Sequence, residues 1–283
     1  MLQRRARRWP YISLEEVKRF GQMENTESVW HESLADPMLV TSGRLAGTSM
    51  TFRFDDGMTW SYTFQDERHL RWEVSDGRKG EEVYNASPAP GYENFIFLHH
   101  YCSLEIPGCA DLLIDFGTGY AVLFDASLGL PANPREVQRT IRFGVIEGHA
   151  LDPLAEKPHY TDDLTGKAIR WRRPGMQTGG IKYIFSSCRY LTYVMRFRDG
   201  TCWMATNPCD YIKFRDDLYV CSTIEERQAG VELIMLMNLT LLTDVQTEFG
   251  IGVPRENESR LETAMHSGRQ GVWDAWSTDL FSD

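Results

Sequence analysis

From Met50 to Val74 the chain alternates apolar and polar residues with period two, in short runs separated by turn residues. "FRFDDGMTWSYTF" at 52–64 predicts a hairpin. Pairing Phe54 with Met58 across Asp55-Asp56-Gly57 lets Gly57 adopt a left-handed conformation, and sets Phe52 opposite Trp60 and Met50 opposite Tyr62. Met50, Phe52, Phe54, Met58, Trp60, Tyr62 and Phe64 then share one face, while Thr51, Arg53, Thr59, Ser61 and Thr63 take the other. Turn chemistry accounts for Asp55 and Asp56. "HLRWEV" continues the theme with Leu70, Trp72 and Val74 inward. "EEVYNA" is a weaker strand, and "NFIFLHHYC" (94–102) is apolar on both faces, as suits a strand packed on two sides. "ADLLIDFGTGYAVLF" reads as two strands around a Gly-containing turn, with Asp115 bonding local backbone.

The order of these segments recurs. "LAGTSMTFRF" at Leu45 is echoed by "LTGKAIRWRR" at Leu164, "HLRWEV" at 69–74 by "YLTYVM" at 190–195, "YENFIFL" by "RDDLYVC", and "DLLIDF" at 111–116 by "ELIMLM" at 232–237. Four matches in order, at an offset near 120, predict a duplicated all-β unit of barrel or sandwich type. The reading divides the chain into an N-terminal arm and helix (1–30), a first unit (31–130), a Pro-, Gly- and charge-rich linker (131–160), a second unit (161–252) and a C-terminal tail (253–283). "SLEEVKRF" predicts a helix with Ser13 and Glu16 as a capping box. Trp273, Trp276, Leu280 and Phe281 fall on one helical face, so a second helix is expected at the C-terminus, a tail able to dock on its own domain or on another copy of the chain.

Composition narrows the function. A net charge of −10 argues against nucleic acid as the partner, and a hydrophobic fraction of 42% against wholesale disorder. Arg4, Arg5, Arg7 and Arg8 form a local basic cluster, read as a solvated terminus. No secretory signal and no membrane-length apolar run occur, and Val231–Leu242 is interrupted by Glu232 and Asn238. A cytoplasmic location is expected, with reduced thiols at Cys102, Cys109, Cys188, Cys202, Cys209 and Cys221 and no use of the sequons at Asn85, Asn238 and Asn257.

These phrases, with "LAG…FRFDDGMTWSYTF…LRW" in the first half and "HYTDDLTGK", "RYLTY", "CDYIKF" and "DDLYV" in the second, resemble the MoaF family. The resemblance covers most of residues 30–250. It implies two consecutive lipocalin-like (calycin) antiparallel barrels and a small-molecule cavity inside one of them. The family bears the name of a molybdenum-cofactor-associated gene, which implies, by name alone, an accessory role for molybdenum enzymes. The chain departs from the family pattern at "CSTIEER" after "DLYV" and in its Trp-rich tail.

On a barrel, the inward residues of the first unit are Trp60, Tyr62 and Trp72. Phe95, Phe97, His99 and Tyr101 join them if the aromatic parity of the fifth strand faces inward. In the second unit they are Trp171, Tyr183, Tyr193 and Trp203. Such a lining suits a small hydrophobic or aromatic molecule. His99 and Tyr62 are the candidate acid/base pair, with Trp60, Trp72, Phe95, Phe97 and Tyr101 holding the substrate. His99 and His100, with Cys102 and Cys109, suggest zinc at first sight, but adjacent strand residues point to opposite faces and no metal is expected. Arg170, Arg172, Arg173 and Lys182 place positive charge on one hairpin of the second unit, read as a solvated face with an anion site as the alternative. No phosphate loop, nucleophile elbow or zinc-protease motif is present, so no cofactor is expected. The favoured function is a cofactor-independent lyase, dehydratase or isomerase; the alternatives are a small-molecule carrier and the accessory factor.

Overall fold

The computed structural model describes residues 13–21, 39–129, 134–171, 178–197, 202–225, 230–252, 260–266 and 271–274. Arg4, Arg5, Arg7, Arg8, Arg172, Arg173, Asn257, Trp276, Leu280 and Phe281 lie outside them. The first unit is a closed antiparallel barrel of eight strands. Its members are β1 (Ser49–Phe54), β2 (Thr59–Phe64), β3 (His69–Val74), β4 (Lys79–Ala89), β5 (Tyr92–Cys102), β6 (Gly108–Asp115), β7 (Tyr120–Ser127) and β8 (Gln138–Ile146). The opening hairpin has the expected register: Phe52 pairs Trp60, Met50 pairs Tyr62, and the Phe54 N–H donates to the Met58 carbonyl over a loop in which Gly57 has φ +86°. Its apolar face is buried, with Met50 and Met58 packed at the margin.

Strand β8 lies inside the range read as linker. It pairs β7 along its length and closes the barrel on β1 through Phe52↔Ile146, Arg53↔Val145 and Phe54↔Gly144. A side chain at Gly144 would put its Cβ 2.4 Å from the Arg53 carbonyl oxygen and 2.6 Å from the Phe54 ring, so this seam needs glycine. Charge hid the strand from the sequence reading: its odd positions Ile141 and Phe143 pack outward against the second unit, and Arg142 occupies an inward register.

The second unit repeats the plan. It comprises β9 (His159–Tyr160), β10 (Ala168–Trp171), β11 (Thr178–Ser187), β12 (Tyr190–Phe197), β13 (Cys202–Lys213), β14 (Leu218–Glu225), β15 (Val231–Asn238), β16 (Thr243–Gly252), β17 (Arg260–His266) and β18 (Gly271–Asp274). Strands β10 to β17 follow the order of β1 to β8. The entry turns match bond for bond. Gly47 N–H donates to the Phe64 carbonyl and Gly166 N–H to the Phe185 carbonyl; Thr48 donates to Leu45 and Lys167 to Leu164. The sheet curls without closing among the described residues: β17 forms one end of its strand order and β18, paired with β10, the other. The second unit is thus the barrel-like antiparallel sheet expected, a half-barrel among the described residues. Of the expected C-terminal helix only Trp273 is described: with Val272 it lies exposed in a strand bound to β10, and Trp276, Leu280 and Phe281 lie outside the described residues.

The two sheets pack face to face. Phe95, Phe97, Leu113, Val122 and Phe124 on the outside of the first barrel bury against Ile212, Phe214, Leu218, Val220, Ile234, Leu236 and Val245 of the second unit. Each such side chain contributes about 1.5–3 kcal/mol by leaving water. Arg215 reaches back to Asp115 at 2.6 Å and stacks over Tyr92 at 4.3 Å. Asp115 also accepts from the Gly117 N–H, the turn bond expected of it. Helix α1 (Leu14–Gly21), capped by reciprocal Ser13–Glu16 bonds as expected, buries Val17 at one end of this interface beside Tyr101, Leu128, Val137 and Phe249.

Candidate functional site

Inside the first barrel the inward positions of β2 and β3 carry an aromatic stack. Trp60 lies 5.5 Å from Trp72 and 6.1 Å from Tyr62, and Tyr62 lies 5.7 Å from Phe64, all at shallow interplanar angles. Trp60, Tyr62 and Trp72 thus face the interior as expected. The indole N–H groups of Trp60 and Trp72 are enclosed with no acceptor among the described residues. Each such donor costs on the order of 1–3 kcal/mol until something accepts from it.

The fifth strand has the opposite parity to the one expected. Ile96, Leu98, His100 and Cys102 point into the barrel, while Phe95, Phe97, His99 and Tyr101 point outward to the second unit and helix α1. Both faces of β5 are apolar because both are covered, so composition alone could not choose between them. The register decides: His100 pairs Tyr84, whose ring is inside. His100, not His99, therefore meets Tyr62, with 3.2 Å between the phenol oxygen and Nε2. His100 Nδ1 lies 2.9 Å from the Tyr101 carbonyl oxygen. A carbonyl only accepts, so Nδ1 carries the hydrogen and Nε2 accepts from the Tyr62 hydroxyl. Burial pushes the His100 ring down to about 4 and the Tyr62 phenol well above its ordinary value. Both are neutral throughout the physiological range. Phe95, Phe97, His99 and Tyr101 belong to the interface, not to a barrel lining.

One end of the barrel is polar. Asp125 and Arg142 occupy inward registers on β7 and β8, and Arg78 comes from the β3–β4 turn. Both Arg78 Nη atoms donate to Asp125, at 3.0 and 2.9 Å, and Arg142 adds a third bond at 2.9 Å while also donating to Asp56. The Arg78 guanidinium lies 5.2 Å from the Trp60 ring centroid. The pair links the turn between the third and fourth strands to the seventh and borders a cleft of about 490 Å³, lined also by Ser127, Glu136, Val137, Gln138, Arg139 and Thr140. Inward positions nearby are small (Gly80 opposite Trp72, Ala110 opposite Asp125, Gly108 opposite Ser127). Glu82, opposite Leu70, binds the Ser103 backbone and hydroxyl. Sequence reasoning missed Arg78, Asp125 and Arg142; the available signal was a carboxylate in step with the inward Ala121 and Leu123.

The family model of the MoaF N-terminal domain matches residues 32–128. The first barrel is MoaF-like. The matched segment ends before β8, so the strand that completes the MoaF-like barrel, with its inward Thr140 and Arg142, comes from beyond it. A comparison with curated proteins finds no match. No helix among the described residues is long and apolar enough to cross a membrane.

In the second unit Trp171, Tyr183, Tyr193 and Trp203 line the inner face of the curl, as expected, around Cys209 and Cys221, whose sulfurs are 3.1 Å apart. All six cysteines are free thiols. On the outer side Arg170 pairs across the strands with Lys182.

Proposed function

We propose that the MoaF-like barrel binds a small molecule with an aromatic or apolar body, admitted at the Arg78–Asp125 end. The observation that carries this reading is the pair of stacked, inward tryptophans with unanswered indole N–H groups, lying just under a charged strap at the edge of a cleft. Ligand sites are mostly apolar, with a few polar groups fixing orientation. Here the strap supplies the polar groups. When Arg78 swings aside, Arg142 still neutralises Asp125, so opening does not leave a bare carboxylate.

Binding is favoured over acid/base catalysis because the two groups able to move protons are poorly tuned for it. An imidazole titrating at about 4 is a weak base at neutral pH, and a phenol raised above its ordinary value is a weak acid. The Tyr62–His100 hydrogen bond supports a second reading, a cofactor-independent lyase, dehydratase or isomerase in which a bound substrate displaces that contact. The molybdenum-associated role rests on the family name, and no feature of the site adds to it.

The test is native mass spectrometry of the full chain as purified, followed by titration of the delipidated protein with 1-anilinonaphthalene-8-sulfonate. Binding predicts a displaceable adduct or a saturable 1:1 fluorescence change that Arg78→Ala and Trp60→Leu both alter. No adduct, with a dye response indifferent to both substitutions, overturns it. Turnover of a displaced ligand that His100→Gln abolishes would select the enzyme reading.

A further inference from the structure

Between the two sheets lies a polar island sealed inside an otherwise apolar interface. His99 and Asp111 face each other across β5 and β6, and Cys109 lies two residues from Asp111 on the same outer face. His99 Nδ1 is 2.8 Å from Asp111 Oδ1 and 3.5 Å from Cys109 Sγ, and Cys109 Sγ is 3.1 Å from Asp111 Oδ2. All three side chains are buried, and their donor atoms lie within 4.8 Å of one another. From the second unit comes Glu232, on the face of β15 that carries Ile234 and Leu236 into the interface. Its carboxylate is close enough to Cys109 and Asp111 to interact electrostatically with both. Arg139 donates to Glu232 Oε1 at 3.2 Å, to Asp210 at 2.6 Å and to Ser222. Glu232 Oε2 is buried with no hydrogen-bond partner among the described residues.

A hydrogen-bonded trio of His99, Cys109 and Asp111 leaves that oxygen unexplained. It also leaves the two buried carboxylates of Asp111 and Glu232 facing each other across the interface, with Arg139 bonded to Glu232. A bound cation answers both.

We propose that His99 Nδ1, Cys109 Sγ and an Asp111 carboxylate oxygen, with Glu232 as fourth donor, form a site for one divalent transition-metal ion, with zinc the best match. The donor set argues the metal. Thiolate and imidazole favour zinc and its neighbours over magnesium and calcium, which take oxygen donors. With bonds of about 2.0–2.3 Å, tetrahedral donors stand roughly 3.3–3.8 Å apart, so the observed triangle needs only slight opening. On binding, the metal–sulfur bond forms as the Cys109 S–H proton leaves to solvent, and the metal–nitrogen bond forms at His99 Nδ1 as its hydrogen is replaced by one on Nε2, the other neutral tautomer. Four protein donors leave no open position, so the ion is structural. It ties β5 and β6 of the first barrel to β15 of the second unit, and it enters as the two halves dock.

This site is separate from the barrel interior, because His99 and His100 point to opposite faces of one strand. The test is to unfold the full chain in chelator and reductant, refold it with or without Zn²⁺, and measure bound metal and thermal stability. The expected result is one zinc retained per chain through gel filtration, with a higher Tm than the metal-free product. Co²⁺ in its place should give a thiolate-to-cobalt charge-transfer absorption that Cys109→Ser removes. Glu232→Gln should weaken retention by about tenfold or more. Retention of no zinc by the wild-type chain overturns the site. So does a cobalt band that survives in Cys109→Ser, which would place the metal on other thiols. Unchanged retention in Glu232→Gln overturns the fourth donor.

Discussion

Replacing Tyr62 by Phe removes one oxygen from the first barrel and leaves the aromatic stack intact. In the folded protein that oxygen donates to His100 Nε2 over 3.2 Å, while His100 Nδ1 is committed to the Tyr101 carbonyl. Deleting it strands a buried acceptor. The bond itself is neutral and rather long, worth about 1 kcal/mol net, but the stranded Nε2 brings the expected loss to about 1–3 kcal/mol. His100→Leu strands the phenol in turn. The double variant Tyr62→Phe/His100→Leu strands neither, so it should be more stable than the sum of the single losses by about 1 kcal/mol or more. Urea unfolding at pH 7 reads all four proteins. Tryptophan emission follows the unfolding, with Trp60, 6.1 Å from the Tyr62 ring, among its contributors. A Tyr62→Phe protein within about 0.3 kcal/mol of wild type, or strictly additive losses, would refute the assigned tautomer and the isolation of the pair from water.

Acid should weaken the fold through the same histidine. The unfolded ring titrates near 6.5 and the folded one at about 4, so between those values the unfolded chain holds the extra proton. Stability is therefore intact above 6.5 and lost as pH falls toward 4, by up to about 3 kcal/mol, a slope that His100→Leu should flatten in denaturation series across that range. Gly144→Ala should cost about 3 kcal/mol or more by forcing a Cβ into the Arg53 carbonyl at the closing seam, and should raise amide exchange in β1 and β8 ahead of β5 and β6. Phe97→Ala should cost about 3–5 kcal/mol by hollowing the interface, with dye binding in the barrel retained because that ring is not part of its lining.

Local rules carried much of the fold. Gly57, the turn aspartates and the alternation from Met50 to Phe64 fix the first hairpin completely, and Ser13 with Glu16 marks the start of helix α1. Internal echoes such as Leu45/Leu164 and Gly47/Gly166 revealed the duplication because identical turns need identical residues. The candidate site was legible only where one face of a strand is wet. Trp60, Tyr62 and Trp72 alternate with Ser61, Thr63 and Arg71, so their direction is written in the chain. Along β5 every position from Phe95 to Cys102 is buried, and His99 and His100 look alike until cross-strand partners are known. Arg142 and Asp125 escaped notice for a related reason: charged residues at inward registers look like loop until a partner across the barrel neutralises them.

The interface through Phe95, Phe97 and Phe124 has a consequence for how this chain can be divided. A fragment stopping at residue 128, where the recognisable domain ends, would lack the stave that closes the cask and would turn a greasy flank to water. Either half taken alone would present to solvent the apolar face that the other now covers.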